Sequence, residues 1–314
     1  MNRLLRKKSE NCQDYSLKES FSQGAADCGI MQAEPGSPEE RFSPARRDLA
    51  DSTALPGRIR TDDGKGRNMT WDVHFVKVTG STNTDVLQAG LQGAPEGFAV
   101  VAEEQKAGRG RMNRSWFSPP GAGLYASVLV RPRISIGEAG LLSFCAANAM
   151  RAAIAEAGLE TVRIKWPNDL VAGGKKICGI LSSCRTEEGR LDFAVIGLGV
   201  NLGPGSYPEE LKDRAGCLAE MGVTPDREDL LYQYLRHLDR QLRDLEAGGA
   251  EVLAELKDHC VTLGREVLVS GGTELRGTAV DIGKSGELIL RTEDGKRMPV
   301  LAGDVSVRGI MGYA

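Results

Sequence analysis

The 314-residue chain has no run of about eighteen apolar residues, so it offers no candidate for a membrane-spanning helix. Its basic start (Arg3, Arg6, Lys7, Lys8) has no apolar stretch behind it, which argues against a secretory signal. Histidine is scarce: His74, His237 and His259 sit in unrelated contexts, and no Ser-His-Asp or metal-hydrolase set accompanies them. The seven cysteines (Cys12, Cys28, Cys145, Cys178, Cys184, Cys217, Cys260) form no Cys-x-x-Cys pair and no metal-ligand cluster. An odd, unpatterned count fits free thiols in a reducing compartment better than a disulfide framework. A net charge of −3 leaves no global basic footprint for nucleic acid. These absences predict a soluble, cytoplasmic protein with neither a membrane partner nor a DNA partner.

Residues 1–68 also lack something, namely any sustained period of 3.6 or 2. They mix Ser, Gly, Pro and both charge signs, and Pro35, Pro38, Pro44 and Pro56 interrupt them. Such a composition buries too little apolar area to offset ordering entropy, so a disordered extension is expected. The fold is expected to begin near Trp71, which makes Met69 a candidate start.

From residue 69 the pattern is regular. A short helix is expected after Ser81 or Thr82, either of which could cap it. Strands are expected at 98–102 and 124–130, and a helix over 137–157 that stops at Gly158. Further strands follow at about 161–165, 176–186 and 191–199. Leu230, Leu231, Tyr234, Leu235, Leu238, Leu242 and Leu245 predict a long amphipathic helix over 227–246. After Gly264 the character changes to five short β segments, 265–269, 274–282, 287–292, 297–301 and 304–308, with the spacing of a small β-barrel. The units are therefore 69–263 and 264–314.

The densest chemistry lies in Gly108-Arg109-Gly110-Arg111-Met112-Asn113-Arg114-Ser115-Trp116-Phe117. Its glycines let backbone N–H groups approach a ligand closely, and its arginines carry planar forks suited to carboxylate and phosphate. The loop reads as an anion holder. Upstream stands Gly80-Ser81-Thr82-Asn83-Thr84. Downstream stand Lys165-Trp166-Pro167-Asn168-Asp169, Lys176-Ile177-Cys178-Gly179-Ile180-Leu181 and Gly197-Leu198-Gly199-Val200-Asn201. The last invites a dinucleotide-binding reading as a strand running into Gly-x-Gly. Leu202 occupies the third glycine position, however, and Pro204 and Gly205 follow where a helix should open.

In this order and spacing the five elements resemble those of the biotin protein ligases, over about residues 72–314. The resemblance implies an α+β fold: a class II synthetase-like mixed sheet flanked by helices, with an SH3-like C-terminal barrel. It implies an enzyme that activates biotin with MgATP to biotinyl-5′-AMP and pyrophosphate. The biotin then passes to a lysine of a biotin carboxyl carrier protein or domain of a biotin-dependent carboxylase. Matched positions imply biotin contacts from Ser81, Thr82, Asn83, Gln105, Arg109, Gly110, Arg111, Trp116, Lys176, Gly179 and Gly197. ATP contacts are implied for Arg109, Arg111, Arg114, Lys165, Asn168, Lys176 and Asn201, with Asn201 also facing Mg2+ through the phosphates. Arg111 and Lys176 would carry the first step, and Asp169 would assist the second as a base. The loop from Gly203 to about Cys217 would close over adenine.

Two departures stand out. Asn113 occupies a position where many members of the family have glycine, and the adenine loop has only Tyr207 as an aromatic. Some members add an N-terminal helix-turn-helix and act as repressors, but the prolines of residues 35–56 argue against one here. Lipoate ligase is the sister reading within the shared catalytic fold. A homodimer is compatible with the resemblance.

Overall fold

Side-chain alternation sorts the main sheet into two cores. Along Phe98–Gln105, Ala99 and Val101 join one buried cluster, while Val100 and Ala102 join another on the opposite face. The computed structural model describes residues 29–31, 57–61, 69–270, 274–302 and 306–309. Within them the sheet comprises β1 (Gly29–Met31), β2 (Gly57–Thr61), β3 (Met69–Thr79), β4 (Phe98–Gln105), β5 (Gly123–Val130), β6 (Arg163–Lys165), β7 (Asp169–Ala172), β8 (Lys175–Glu187) and β9 (Arg190–Asn201). Their order is β2-β3-β4-β5-β9-β8-β7-β6, with β1 added to β8. It is a mixed sheet: β3 with β4 and β1 with β8 are parallel, and the other pairs are antiparallel.

Helix α1 (Thr82–Leu91) covers one face through Val86, which packs in a cluster with Val100, Leu129, Phe193 and Val195. Helices α2 (Leu141–Glu156), α3 (Arg227–Glu246) and α4 (Ala250–His259) cover the other. The start of α3 is fixed by Asp226, whose carboxylate accepts from the backbone N–H of Glu228 at 2.8 Å and of Asp229 at 3.0 Å. Its apolar stripe matches the sequence reading residue for residue. Asn148 of α2, fully buried, donates to Gln241 Oε1 at 3.0 Å and to the Val252 carbonyl at 2.9 Å, tying the three helices together. β9 runs antiparallel between β5 and β8, which removes the dinucleotide-binding topology.

The five C-terminal segments form a second, wholly antiparallel sheet: β10 (Glu266–Ser270), β11 (Leu275–Ile282), β12 (Leu288–Arg291), β13 (Arg297–Val300) and β14 (Ser306–Gly309), in the order β13-β12-β11-β10-β14. Val267, Ala279, Leu288 and Leu290 belong to the same buried cluster as α2 and α3. The indole N–H of Trp166 donates to the Gly286 carbonyl at 2.9 Å. Gly286 adopts φ +86°, and a Cβ there would come within 2.4 Å of Phe144, so glycine permits both the turn and the contact.

Three expectations are corrected. Helix α4 was not anticipated; it follows Gly248-Gly249, and Gly249 serves as its left-handed N-cap. The reading of 1–68 as an extension outside the fold fails at two points, since Gly29–Met31 pairs with Ser183–Arg185 of β8 and Gly57–Thr61 pairs with β3. The rest of that segment lies outside the described residues. Cysteines 145, 178, 217 and 260 are free, but Cys184, opposite Ile30, is disulfide-bonded, against the expectation of free thiols throughout.

β2 is anchored by chemistry as well as by pairing. The Thr61 hydroxyl donates to the buried Asp239 carboxylate of α3 at 2.9 Å, beside the Met69 N–H at 3.4 Å. Thr61→Val keeps the shape and removes this donor, so it should cost about 1–3 kcal/mol in urea unfolding. An unchanged midpoint would show that β2 is only loosely held and would favour a start at Met69.

Candidate active site

The arginine loop leaves β4 at Gln105 and closes on itself. Arg109 bridges Ser115 in antiparallel fashion. The Gly110 N–H donates to the Arg114 carbonyl at 2.7 Å, and the Trp116 N–H donates to the Gly108 carbonyl at 2.9 Å. Met112 and Asn113 at the tip both take φ 56°. Asn tolerates this left-handed conformation better than most residues, so Asn113 fills a position that glycine would adopt freely. Arg109 and Arg114 are exposed. Arg111 turns inward and donates to Asn168 Oδ1 at 3.3 Å and to the backbone carbonyl of Ala302.

The start of α1 builds the second wall. Ser81 holds the N-cap position, but its side chain makes no capping hydrogen bond, against the expected capping role. Thr82 is spent inside a relay. Its N–H and hydroxyl both reach Gln105 Oε1, at 3.0 and 3.1 Å, and the hydroxyl meets Ser127 Oγ at 2.7 Å. Ser127 donates to Asn83 Oδ1 at 2.5 Å, Asn83 Nδ2 donates to the Leu181 carbonyl at 3.2 Å, and Gln105 Nε2 donates to Ser118 Oγ at 2.9 Å. Every member is oriented by its neighbour, which makes the wall preorganised.

The glycines explain the floor. Gly179 of β8 and Gly199 of β9 face each other in register. A Cβ on Gly199 would sit 2.3 Å from the Trp116 indole nitrogen, and one on Gly179 would sit 2.9 Å from the same ring. Two residues back along β9, a Cβ on Gly197 would fall 1.8 Å from Asn83 Oδ1. The bare strands therefore admit Trp116 and Asn83 to the sheet surface. Lys176 Nζ lies 5.2 Å from the centre of the Trp116 ring, within cation–π range, and pairs with Asp169 at 2.6 Å.

Lys165 and Asp169 close a hairpin between β6 and β7 through Trp166, a cis Pro167 and Asn168. Trp166 is a core residue that reaches the C-terminal sheet. Asn168 spends its amide on the Ile180 carbonyl at 2.7 Å, so its Oδ1 serves to hold Arg111. Lys165 is buried at the cleft wall. Asn201, at the end of β9, donates to the Gly216 carbonyl at 2.9 Å. Lys176 anchors the loop after β9: its N–H donates to the Arg214 carbonyl at 2.8 Å, and its carbonyl accepts from Gly216 at 2.9 Å.

Most of these groups line one cleft of about 620 Å³, together with Ser206, Tyr207 and Arg214 of the loop after β9, while Ser118 and Ser127 stand behind its wall. Ser81, Thr82, Asn83, Gln105, Arg109, Gly110, Arg111, Arg114, Trp116, Lys165, Asn168, Asp169, Lys176, Gly179, Gly197 and Asn201 are all there. Sequence reasoning missed Ser127 and Ser118, and it named Gly199 and the loop that holds Ser206 without assigning either residue a contact. Ser127 carried one available signal, a single serine inside the otherwise apolar and aromatic run 124–130. Burial pushes the Cys178 thiol up, so this neighbour of the cleft is no candidate nucleophile.

The cleft is thus a cationic, largely preorganised pocket large enough for a small acid and a nucleotide. Residues 75–201 match the biotin/lipoate A/B protein ligase family, and residues 262–308 match the biotin protein ligase C-terminal domain. Biotin–[acetyl-CoA-carboxylase] ligase of Mycobacterium tuberculosis is 35% identical over 265 residues, spanning 80% of this chain and 95% of that one. The chain belongs to the biotin protein ligase family. The bifunctional ligase/repressor BirA of Bacillus subtilis is 35% identical over 224 residues, 69% of each chain. Among solved structures of this ligase family, biotin protein ligase from Aquifex aeolicus in complex with biotin and ATP superposes with a TM-score of 0.66 at 29% identity, covering 76% of this chain and 98% of that one.

Proposed function

We infer that this protein activates biotin with ATP and transfers it to a lysine of a biotin carboxyl carrier domain, as in acetyl-CoA carboxylase. The observation that carries this reading is the meeting of Arg111 and Lys176 with the Asn83–Ser127–Thr82–Gln105 relay in one cleft. A relay of fixed amide and hydroxyl groups suits a neutral polar ring such as a ureido group. The cations suit the two anions that must react.

In the first step a carboxylate oxygen attacks the α-phosphorus, and pyrophosphate leaves with the electrons of the broken P–O bond. The acid is already ionised at neutral pH, so no base is required. The burden is electrostatic, and Lys176 and Arg111 bear it by neutralising carboxylate and α-phosphate as they approach. Trp116 orients Lys176 from one side and Asp169 from another. Asn201 Oδ1 is buried with no hydrogen-bond partner, an oxygen that fits a hard cation accompanying the triphosphate. Mg2+ held there would offset phosphate charge. The loop after β9 supplies the adenine side, with Tyr207 as its aromatic.

In the second step a neutral lysine amine attacks the acyl carbon and AMP leaves, so one proton must be removed from the amine. We assign that task to Asp169, a cleft carboxylate beside Lys176. Asp169→Asn preserves size and can still accept from Lys176. It should leave pyrophosphate release within about tenfold of wild type while slowing carrier labelling about 100-fold, the scale of a general base. Equal transfer rates would take Asp169 out of the mechanism.

The test of the reading as a whole is pyrophosphate release from MgATP with biotin, lipoate or no acid, followed by a streptavidin blot of a carrier domain. Biotin-dependent release and labelling are expected; lipoate dependence would move the protein to the sister chemistry. No DNA partner is part of this reading, and a low-salt gel shift is its check. ATP consumption and a carboxylase partner favour the cytoplasm as the place of action.

A further inference from the structure

Among the described residues, two cleft oxygens outside any ion pair are buried with no hydrogen-bond partner, Asn201 Oδ1 and Ser206 Oγ. Asn201 is accounted for above. Ser206 is 1% exposed and lines the cleft, within the loop expected to close over adenine but with no contact assigned to it by the sequence. A hydroxyl taken from water without a partner is costly to the fold, and such a group calls for a physical reason.

The loop that carries it is not loose. The N–H groups of Leu202 and Gly203 both donate to the Ala122 carbonyl, at 3.0 and 3.1 Å. The Ser206 N–H donates to the Gly203 carbonyl at 3.3 Å, and the far end of the loop is fastened to the Lys176 backbone. Ser206 is therefore held in place by backbone bonds that leave its side chain unengaged. The hydroxyls and amides on the opposite wall, Thr82, Asn83, Ser127 and Gln105, already satisfy one another. The unpaired oxygens thus gather on the side of the cleft formed by the end of β9 and its loop.

We propose that Ser206 is a nucleotide-binding residue whose hydroxyl bonds an oxygen of the ribose–phosphate of ATP. This rests on the ligase reading for the identity of the nucleotide. The hydroxyl can donate to a phosphate oxygen or exchange a hydrogen bond with a ribose hydroxyl, and both lie between the reacting phosphorus and the base. The ligand-free protein keeps an unsatisfied group, and the nucleotide satisfies it. Ligand affinity and ligand-free stability are then set against each other at this one atom.

That opposition gives the experiment. ATP binding is measured by calorimetry on the full chain with biotin present, for wild type and Ser206→Ala, together with thermal melts of both proteins without ligand. Ser206→Ala should weaken ATP binding about tenfold, the scale of one lost hydrogen bond to a partly charged partner, and leave biotin affinity unchanged. Its ligand-free melting temperature should be equal or higher. Repeating the titration with 2′-deoxyATP and 3′-deoxyATP locates the partner oxygen. A ribose partner makes one analogue insensitive to the substitution; a phosphate partner leaves both as sensitive as ATP. ATP affinity within twofold of wild type overturns the assignment, as does an equal loss of biotin affinity or a lowered melting temperature, either of which marks a structural role. Direct binding keeps this separate from the ligase reading. A wild type that binds ATP but releases no pyrophosphate with biotin refutes that reading and leaves Ser206 standing or falling on its own numbers.

Discussion

Lys176→Gln is expected to lower biotin-dependent pyrophosphate release about 100- to 1,000-fold, the cost of removing one preorganised group that stabilises transition-state charge. The expectation follows from where the ammonium is held. It touches the Asp169 carboxylate at 2.6 Å, stands over the Trp116 ring, and extends from a backbone that also fastens the loop after β9. Its position is thus fixed before substrate arrives, and little reorganisation remains for the moment of reaction. Lys176→Arg should not restore the rate. The space around Nζ is set by Gly179, where even a Cβ would come within 3.1 Å of it, and a guanidinium is broader than an ammonium. The measurement is kcat/KM for pyrophosphate release alongside a thermal melt. A folded Lys176→Gln protein within tenfold of wild type would refute the assigned role.

Gly197→Ala is expected to raise KM for biotin about 100-fold and leave KM for ATP nearly unchanged. The added Cβ would lie 1.8 Å from Asn83 Oδ1, a contact that no side chain tolerates. Asn83 cannot step aside cheaply, because Ser127 holds its oxygen at 2.5 Å and the Leu181 carbonyl holds its nitrogen at 3.2 Å. Displacing it strands a hydroxyl and a carbonyl, each worth about 1–3 kcal/mol when buried and unpaired. A loss of about 2.7 kcal/mol corresponds to 100-fold in affinity. Steady-state titration of each substrate reads the split. A rise in KM for ATP of the same size would show that the two walls are not independent.

The parts of this site that were legible in the sequence are those whose residue types are costly anywhere else. Three arginines within six residues and a lysine beside Trp-Pro-Asn-Asp have no comfortable place in a core, and composition alone marks them. Ser127 and Ser118 are ordinary strand and loop residues, and the packing role of Gly199 within its motif is no plainer; they matter through register, and register is a property of pairs of strands. Gly199 becomes meaningful only once β8 places Gly179 opposite it and Trp116 lies across both. The long leucine stripe of α3 announced itself by period, whereas α4 is ten residues long behind a Gly-Gly pair and shows too few turns to do so. β2 was hidden for a different reason. Gly57–Thr61 alternates in burial but is surrounded by proline-rich sequence, and its anchor is a carboxylate 178 residues away.

Pro167 stands in the hairpin between β6 and β7. The hairpin it shapes has a wider consequence through the indole beside it. Trp166 joins Gly286, and Arg111 joins Ala302, so the small C-terminal sheet touches both the hairpin and the anion-holding loop. The border expected at residue 264 would consequently be a border of topology and not of mechanics. Anyone splicing a foreign C-terminal cassette at that point inherits a mismatched support beneath Arg111. A chimera that conserves function has to transplant the 163–169 hairpin and the Arg111 loop as one piece with the sheet that supports them.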